Sequence, residues 1–341
     1  MKKIIKIASK ILLGLIVFVI VFSAAMYIIT SGDYSVAKTI EFDNSIPHIK
    51  INKTVFHSET FGNDSSRTVI VIHGGPGNDY RYLLPLKPLS DKYKLVFYDQ
   101  RGTGLSPRVD ENEHSLENSL QDLSNIIDYY SPNKKVNIIG HSWGAMLASG
   151  YLAMHPERVN KIVLAEPGML TTSQAKIFMA KFKLESSFGI LKEILVAIFE
   201  SFHLDDVHEQ DRIDYIFSKL PLMDIEGNPM GNYFCDQKIK NGFMPLWRYS
   251  GVASQSIMEE GMDDNGDIQI DLVTGVEKFQ GKVLFIAGEC NTIIGEDFQK
   301  EHIKYFTNAE MVVIKNAGHT MLGEKPDECI SIIRKYFEGI N

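Results

Sequence analysis

The tightest constraint on this chain is a short stretch near its middle. An apolar run at residues 135–139 ends in Gly140-His141-Ser142-Trp143-Gly144, and a helical segment, residues 145–153, follows at once. Strand, one sharp turn and helix in direct succession fit a serine held on a strained bend. Glycines two residues either side of it remove side chains that would collide with the strand and the helix.

The remainder of the sequence supplies a sheet for that bend. Short β-branched runs occur at residues 68–73, 94–98, 161–164, 282–287 and 311–314, each closed by glycine or a polar turn. Runs apolar on both alternating positions read as buried parallel strands. Between them, residues 116–130 place Leu120, Leu123, Ile126 and Ile127 on one helical face. Residues 325–340 do the same with Cys329, Ile332, Ile333 and Phe337, and Pro326 suits the first turn. Strand–helix alternation implies an α/β fold with a doubly wound sheet. The alternation lapses between about residues 168 and 275, where amphipathic helices at 174–182, 190–202 and 212–220 precede an aromatic, glycine-rich loop region. Residues 31–63 read as a short linker followed by edge strands, with alternation at 49–52. The expected organisation is a core of residues 31–168 and 276–341, and a helical cap of residues 169–275 over the site.

The N-terminus addresses the chain to a membrane. Lys2, Lys3, Lys6 and Lys10 mark a cytoplasmic tail, residues 1–10, before an uncharged apolar run at 11–30. Such a run spans about 30 Å as a helix, the thickness of a bilayer's hydrocarbon core. The lysines stay cytoplasmic, which puts everything after Ser31 on the far side of a single-pass anchor. The rival reading is a cleaved signal peptide with Ser23-Ala24-Ala25 as its cleavage site, and a secreted product. The anchor is preferred because the apolar run continues through Met26-Tyr27-Ile28-Ile29. A net charge of −8 and the lack of any later basic run argue against nucleic acid as a partner. Three cysteines, Cys235, Cys290 and Cys329, form neither a disulfide framework nor a zinc motif; at most one bridge is available, and the spacing does not say which.

Two further motifs flank the serine bend. His73-Gly74-Gly75-Pro76-Gly77 follows the run at 68–72, where its backbone can approach a substrate closely. A tetrahedral intermediate needs two N–H donors aimed at one oxyanion. Trp143 offers one, and Gly75 the other, since Pro76 has no N–H. Asp99-Gln100-Arg101-Gly102-Thr103-Gly104-Leu105-Ser106 follows the run at 94–98; lacking a phosphate-loop lysine, it reads as a supporting loop beneath that turn. The three motifs in this order resemble the proline iminopeptidase (prolyl aminopeptidase) group of the α/β-hydrolases. The resemblance is strong over residues 68–164, moderate from 282 to the C-terminus and weak across the cap. It implies an eight-stranded, mostly parallel sheet, a cap inserted after strand six, and hydrolysis of small N-terminal peptides or related amides.

Asn316-Ala317-Gly318-His319 follows the last strand, where this fold presents its catalytic histidine; His319 is therefore the expected general base, and His73 and His141 are read as structural. The acid is the difficulty. After the run at 282–287 the group has G-x-x-D, and here Gly288-Glu289-Cys290-Asn291 places asparagine there. Asparagine cannot stabilise an imidazolium as a carboxylate does, and an Asp→Asn change in a serine protease triad costs about 10⁴ in kcat. Three residues compete: Glu166, at the carboxyl end of the run at 161–164; Asn291 itself, orienting His319 through its side-chain oxygen; and Glu289, reaching across.

Two other clusters carry no chemistry. His203-Leu204-Asp205-Asp206-Val207-His208 puts its histidines about 140° apart on a helix, which reads as a solvated cap segment and not a metal site. Asp263-Asp264-Asn265-Gly266-Asp267 reads as a turn. The resemblance implies cap carboxylates for a substrate ammonium, and Glu185, Glu193, Glu200 and Asp205 are available. The expected activity is that of a serine hydrolase without metal or organic cofactor, acting on short peptides or aminoacyl amides. A carboxylic ester or lactone hydrolase is the first alternative, and a catalytically impaired binding domain the second.

Overall fold

Strands form where β-branched residues occupy both alternating positions. In a computed structural model, which describes residues 2–182, 188–205, 207–219, 228–237 and 244–340, eight of them make one sheet. They are β1 (His48–Ile51), β2 (Thr54–Phe61), β3 (Thr68–Ile72), β4 (Lys94–Tyr98), β5 (Val136–His141), β6 (Val159–Ala165), β7 (Val283–Gly288) and β8 (Ala309–Ile314). Their order is β1-β2-β4-β3-β5-β6-β7-β8; β2 pairs antiparallel with β1 and β4, and the remaining pairs are parallel. Every residue of β3, β5 and β7 is buried, as strands covered on both faces require.

Alternation divides the core in two. Ile70, Ile72, Ile138 and Leu164 face α2 (Leu116–Tyr130) and α3 (Trp143–Met154), packing on Leu123, Ile126 and Leu147. Val69, Val71, Ile139 and Val163 face the other way, onto a 3₁₀ segment (Arg81–Asp91) and α10 (Pro326–Glu338), meeting Leu83, Leu86, Ile333 and Phe337. Truncating any one of these large side chains to alanine costs about 2–5 kcal/mol, so the sheet is a rigid platform for its loops.

Between β6 and β7 lie α4 (Thr172–Lys181), α5 (Phe188–Ser201), α6 (Asp211–Lys219) and α7 (Gly251–Glu260). The first three match the expected amphipathic segments, save that Leu220 lies outside the described residues. Helix α7 replaces expected loop: Ser250 caps it, its hydroxyl accepting from Ala253 N–H at 3.3 Å, and Val252, Ala253 and Ile257 are buried. Two shorter helices, α8 (Glu296–Ile303) and α9 (Met321–Glu324), flank β8.

The N-terminal helix α1 (Lys2–Ile29) begins earlier than the apolar run, because its lysines continue the helix, and it is exposed along nearly all its length. It is long and apolar enough to cross a membrane. The segment after it is not a free linker. Tyr34 bridges to Leu204, Ile40 N–H donates to Leu105 O at 2.9 Å, and Arg248 donates to Ala37 O at 2.9 Å, strapping residues 34–40 between cap and core.

Candidate active site

Ser142 joins β5 to α3 with φ at +55°, a conformation L-residues avoid. Strand β6 and the first turn of α3 hold it there: Ser142 N–H donates to Ala165 O at 2.9 Å, and Ser142 O accepts from Ala145 and Met146 N–H. The two glycines are needed for close approach. A Cβ on Gly144 would stand 2.3 Å from Ile72 O, and one on Gly140 would stand 2.5 Å from Gly144 O. Ser142 is half-buried, and its hydroxyl makes no hydrogen bond with any other described residue.

The turn at residues 73–77 lies directly against it, since a Cβ on Gly74 would be 2.9 Å from Ser142 Cβ. Gly74 N–H is taken by Tyr82 Oη at 2.7 Å. Gly75 N–H and Trp143 N–H, the first of α3, find no acceptor among the described residues. The loop after β4 brackets both sides: Gln100 Nε2 donates to His73 O at 2.9 Å, and Gln100 Oε1 accepts from Trp143 Nε1 at 2.9 Å. It supports the turn, as expected.

His319 stands on the loop after β8, its ring centroid 4.5 Å from that of His141, the residue before Ser142. Its Nδ1 lies 2.6 Å from Glu166 Oε2. Glu166 directly follows β6, fully buried with φ at +43°, and Gly288 N–H donates to its Oε1 at 2.7 Å. Asn291 corrects the expectation placed on it. Its side-chain oxygen accepts from Ile293 and Ile294 N–H at 2.9 and 3.1 Å, so that atom cannot orient His319. Its Nδ2 instead donates to Glu166 Oε2 at 2.6 Å. Glu289 is a second correction: it points away, paired with Lys315 Nζ at 2.7 Å and Asn316 N–H at 3.0 Å. Burial disfavours charge on both members of the inner pair, lowering the His319 imidazole and raising the Glu166 carboxyl, while the donors from Gly288 and Asn291 pull Glu166 back.

Comparison with known proteins bears on most of the chain. The family described as alpha/beta hydrolase fold matches residues 67–203. That match and the strand order agree. The chain has the α/β-hydrolase fold. A cis-3-alkyl-4-alkyloxetan-2-one decarboxylase of Shewanella oneidensis is 22% identical over 79% of this chain and 81% of that protein. A proline iminopeptidase of Saccharolobus solfataricus is 22% identical over 81% of this chain and 86% of its own. A solved thermophilic esterase from Thermogutta terrifontis shares the fold with a TM-score of 0.58 at 17% identity, over 86% of this chain and 99% of that one. The resemblance first carried by three motifs thus extends to most of the chain.

The site has supports that the sequence did not announce. Gly74 N–H donates to Tyr82 Oη, which donates to His141 Nδ1 at 2.7 Å; His141 Nε2 then donates to His319 O at 2.8 Å. One hydrogen-bonded chain therefore ties the glycine turn to the histidine loop and fixes the neutral tautomer of His141, whose charging burial opposes. From the cap, Tyr233 O accepts from His319 N–H at 2.8 Å, and the two rings lie 4.7 Å apart. A disulfide between Cys235 and Cys290, 55 residues apart, pins this strip to the loop that carries Asn291. Tyr82 and Tyr233 carry no local sequence signal.

An apolar cavity of about 550 Å³ adjoins the site through Trp143, lined by Met146, Met154, Met169, Ile257 and Met258. The described cap carboxylates have partners of their own or face solvent. Glu200 accepts from Tyr215 Oη at 2.7 Å, Glu193 pairs with Lys192, Asp205 is exposed, and Glu185 lies outside the described residues. His203 and His208 are half-exposed, as a solvated cap segment requires, and each also meets an aromatic ring: His203 lies tilted against Tyr27 and His208 stacks on Phe42, with Asp206 undescribed. Among the described residues no cluster could hold a metal ion. Residues 263–267 form the expected turn, with Gly266 N–H donating to Asp263 O at 2.8 Å.

Proposed function

We propose that this α/β-hydrolase is a serine hydrolase in which Ser142, His319 and Glu166 form the catalytic triad. The observation that carries the reading is the 2.6 Å contact of Glu166 Oε2 with His319 Nδ1 beside a serine at positive φ. With Nδ1–H donated to Glu166, His319 presents a bare Nε2. That atom takes the proton as Ser142 Oγ attacks a carbonyl carbon, and Glu166 stabilises the imidazolium. Gly75 and Trp143 N–H groups receive the oxyanion, being donors with no acceptor among the described residues. His319 then protonates the leaving group, deprotonates water, and the acyl-enzyme is hydrolysed. Asn291 is a positioning residue, holding the carboxylate that the usual acid position lacks.

The leading substrate class is a short peptide or aminoacyl amide, supported by the three motifs and by the proline iminopeptidase among the relatives. The methionine-lined cavity favours a second reading, an ester with a sizeable apolar group, because its volume suits something larger than one amino-acid side chain. A fluorophosphonate probe tests the common step: it labels the wild-type protein and not Ser142→Ala, and labelling of both sinks the triad. Pro-, Ala- and Leu-amides assayed beside short and medium-chain esters then separate the two classes.

The N-terminal helix is read as an uncleaved anchor with the catalytic domain extracytoplasmic. Its lysines precede the apolar run, its last turn packs on the cap through Tyr27 and His203, and the Cys235–Cys290 bridge suits an oxidising compartment. Protease protection in sealed vesicles tests the orientation.

A further inference from the structure

Helix α5 is apolar on its outer side. Ile190, Ala197 and Ser201 are its buried residues, facing the body of the protein. On the opposite side, at about 100° per residue, lie Phe188, Leu191, Leu195 and Phe199, with Phe202 just past the last turn. Phe188 is 84% exposed, Leu191 61% and Phe202 48%. A surface helix of a water-facing domain carries polar residues there. In α5 the polar residues Lys192, Glu193 and Glu200 gather along one flank instead. So contiguous an apolar stripe marks a surface meant to be covered.

The neighbourhood names the cover. The C-terminal end of α5 is joined to the last turn of α1, the helix read above as the anchor. His203 Nε2 donates to Tyr27 O at 2.8 Å, the two rings lie 4.1 Å apart, and Tyr34 bridges to Leu204. Tyr27, Ile28 and Ile29 are themselves exposed, so the apolar surface of α1 continues to where the cap begins. The Arg212 guanidinium lies 5.9 Å from the Phe202 ring centroid, which puts a cation at the edge of the stripe where lipid phosphates would stand. An apolar face with a cation at one edge, at the exit of a spanning helix, fits a lipid surface.

We propose that the outer face of α5 lies in the headgroup boundary of the bilayer beside α1, giving the cap its own membrane contact. The proposal rests on reading α1 as an anchor. It is tested on the full chain reconstituted into phosphatidylcholine vesicles, with or without lipid brominated near the headgroup end of its acyl chains. Tryptophan is introduced as Leu191→Trp and, separately, Phe188→Trp, with Tyr129→Trp, an exposed site at the far end of α2, as control; wild-type emission is subtracted for Trp143 and Trp247. Brominated lipid should cut the added emission of both α5 variants to roughly half and leave the control nearly unchanged. Protein that floats with vesicles while its α5 tryptophans respond no more than the control overturns the proposal. A shielded but unquenched α5 in a protein that elutes as a dimer assigns the face to a second copy and overturns it too. Failure to float sinks the anchor reading, and the proposal with it.

Discussion

Glu166 Oε2 receives two nitrogens at 2.6 Å, His319 Nδ1 and Asn291 Nδ2, so the amide supports a carboxylate delivered by another strand. Exchanging that carboxylate for an amide removes the charge that stabilises the imidazolium. Glu166→Gln is expected to lower kcat by about 10⁴, near 5 kcal/mol of transition-state stabilisation, with the fold kept. Steady-state kinetics beside circular dichroism check it. A loss smaller than tenfold places the acid elsewhere.

Asn291→Asp restores the residue type usual at that position, yet it should not restore a faster enzyme. The new carboxylate would face Glu166 at hydrogen-bond distance in a buried site, where two like charges cannot both persist and one takes up a proton. The expected outcome is a kcat at pH 7 no higher than wild type and a lower melting temperature. A clear gain in kcat would show that Asn291 leaves a deficit which Glu166 does not fill.

Much of this geometry was legible because its signals are local. The bend at Ser142, the glycine turn and His319 each sit in a strand-end pattern readable over a few residues. Glu166 was one of three candidates, since β6 and β7 meet only in the folded sheet and no sequence shows which Asn291 atom faces inward. The loop spends that oxygen on Ile293 and Ile294. Helix α7 was missed because it opens on Gly251, a poor helix former that the Ser250 cap compensates. For α5 the apolar period was visible, but not which side of it faced the protein.

The chain from Gly74 through Tyr82 to His141 is fully buried, so removing its middle leaves two polar groups unpaired. Tyr82→Phe is expected to cost about 1–3 kcal/mol of stability. Because the same chain holds the His319 loop, kcat should fall while KM changes little. Denaturant unfolding and steady-state kinetics on one preparation test both halves; an unchanged kcat with lowered stability would limit Tyr82 to packing.

The Cys235–Cys290 bridge closes 55 residues and clamps the strip bearing Tyr233 over His319. Chain-entropy arguments give such a loop about 4 kcal/mol. A Cys235→Ala/Cys290→Ala double variant should melt at lower temperature and turn over more slowly, and a reductant should have the same effect on wild type alone. Equal sensitivity of wild type and variant to reductant would exclude the bridge as its target.

His302 on α8 provides a test by pH. It is fully buried, Nδ1 donates to Gln299 Oε1 at 2.9 Å, and Nε2 has no partner among the described residues. Burial pushes its pKa down to about 3. In the unfolded chain it titrates near 6.5. As pH falls below that value the unfolded state takes up a proton that the folded state refuses, so stability declines until the folded pKa is reached; above 6.5 the group contributes no slope. At pH 5 the loss is about 2 kcal/mol relative to pH 7.5. His302→Leu is destabilised at both pH values by the unpaired Gln299, but its loss between them should be smaller than that of wild type by this amount. Urea unfolding at the two pH values measures the difference, and identical pH slopes would show that His302 takes its proton in the folded state as readily as in the unfolded one.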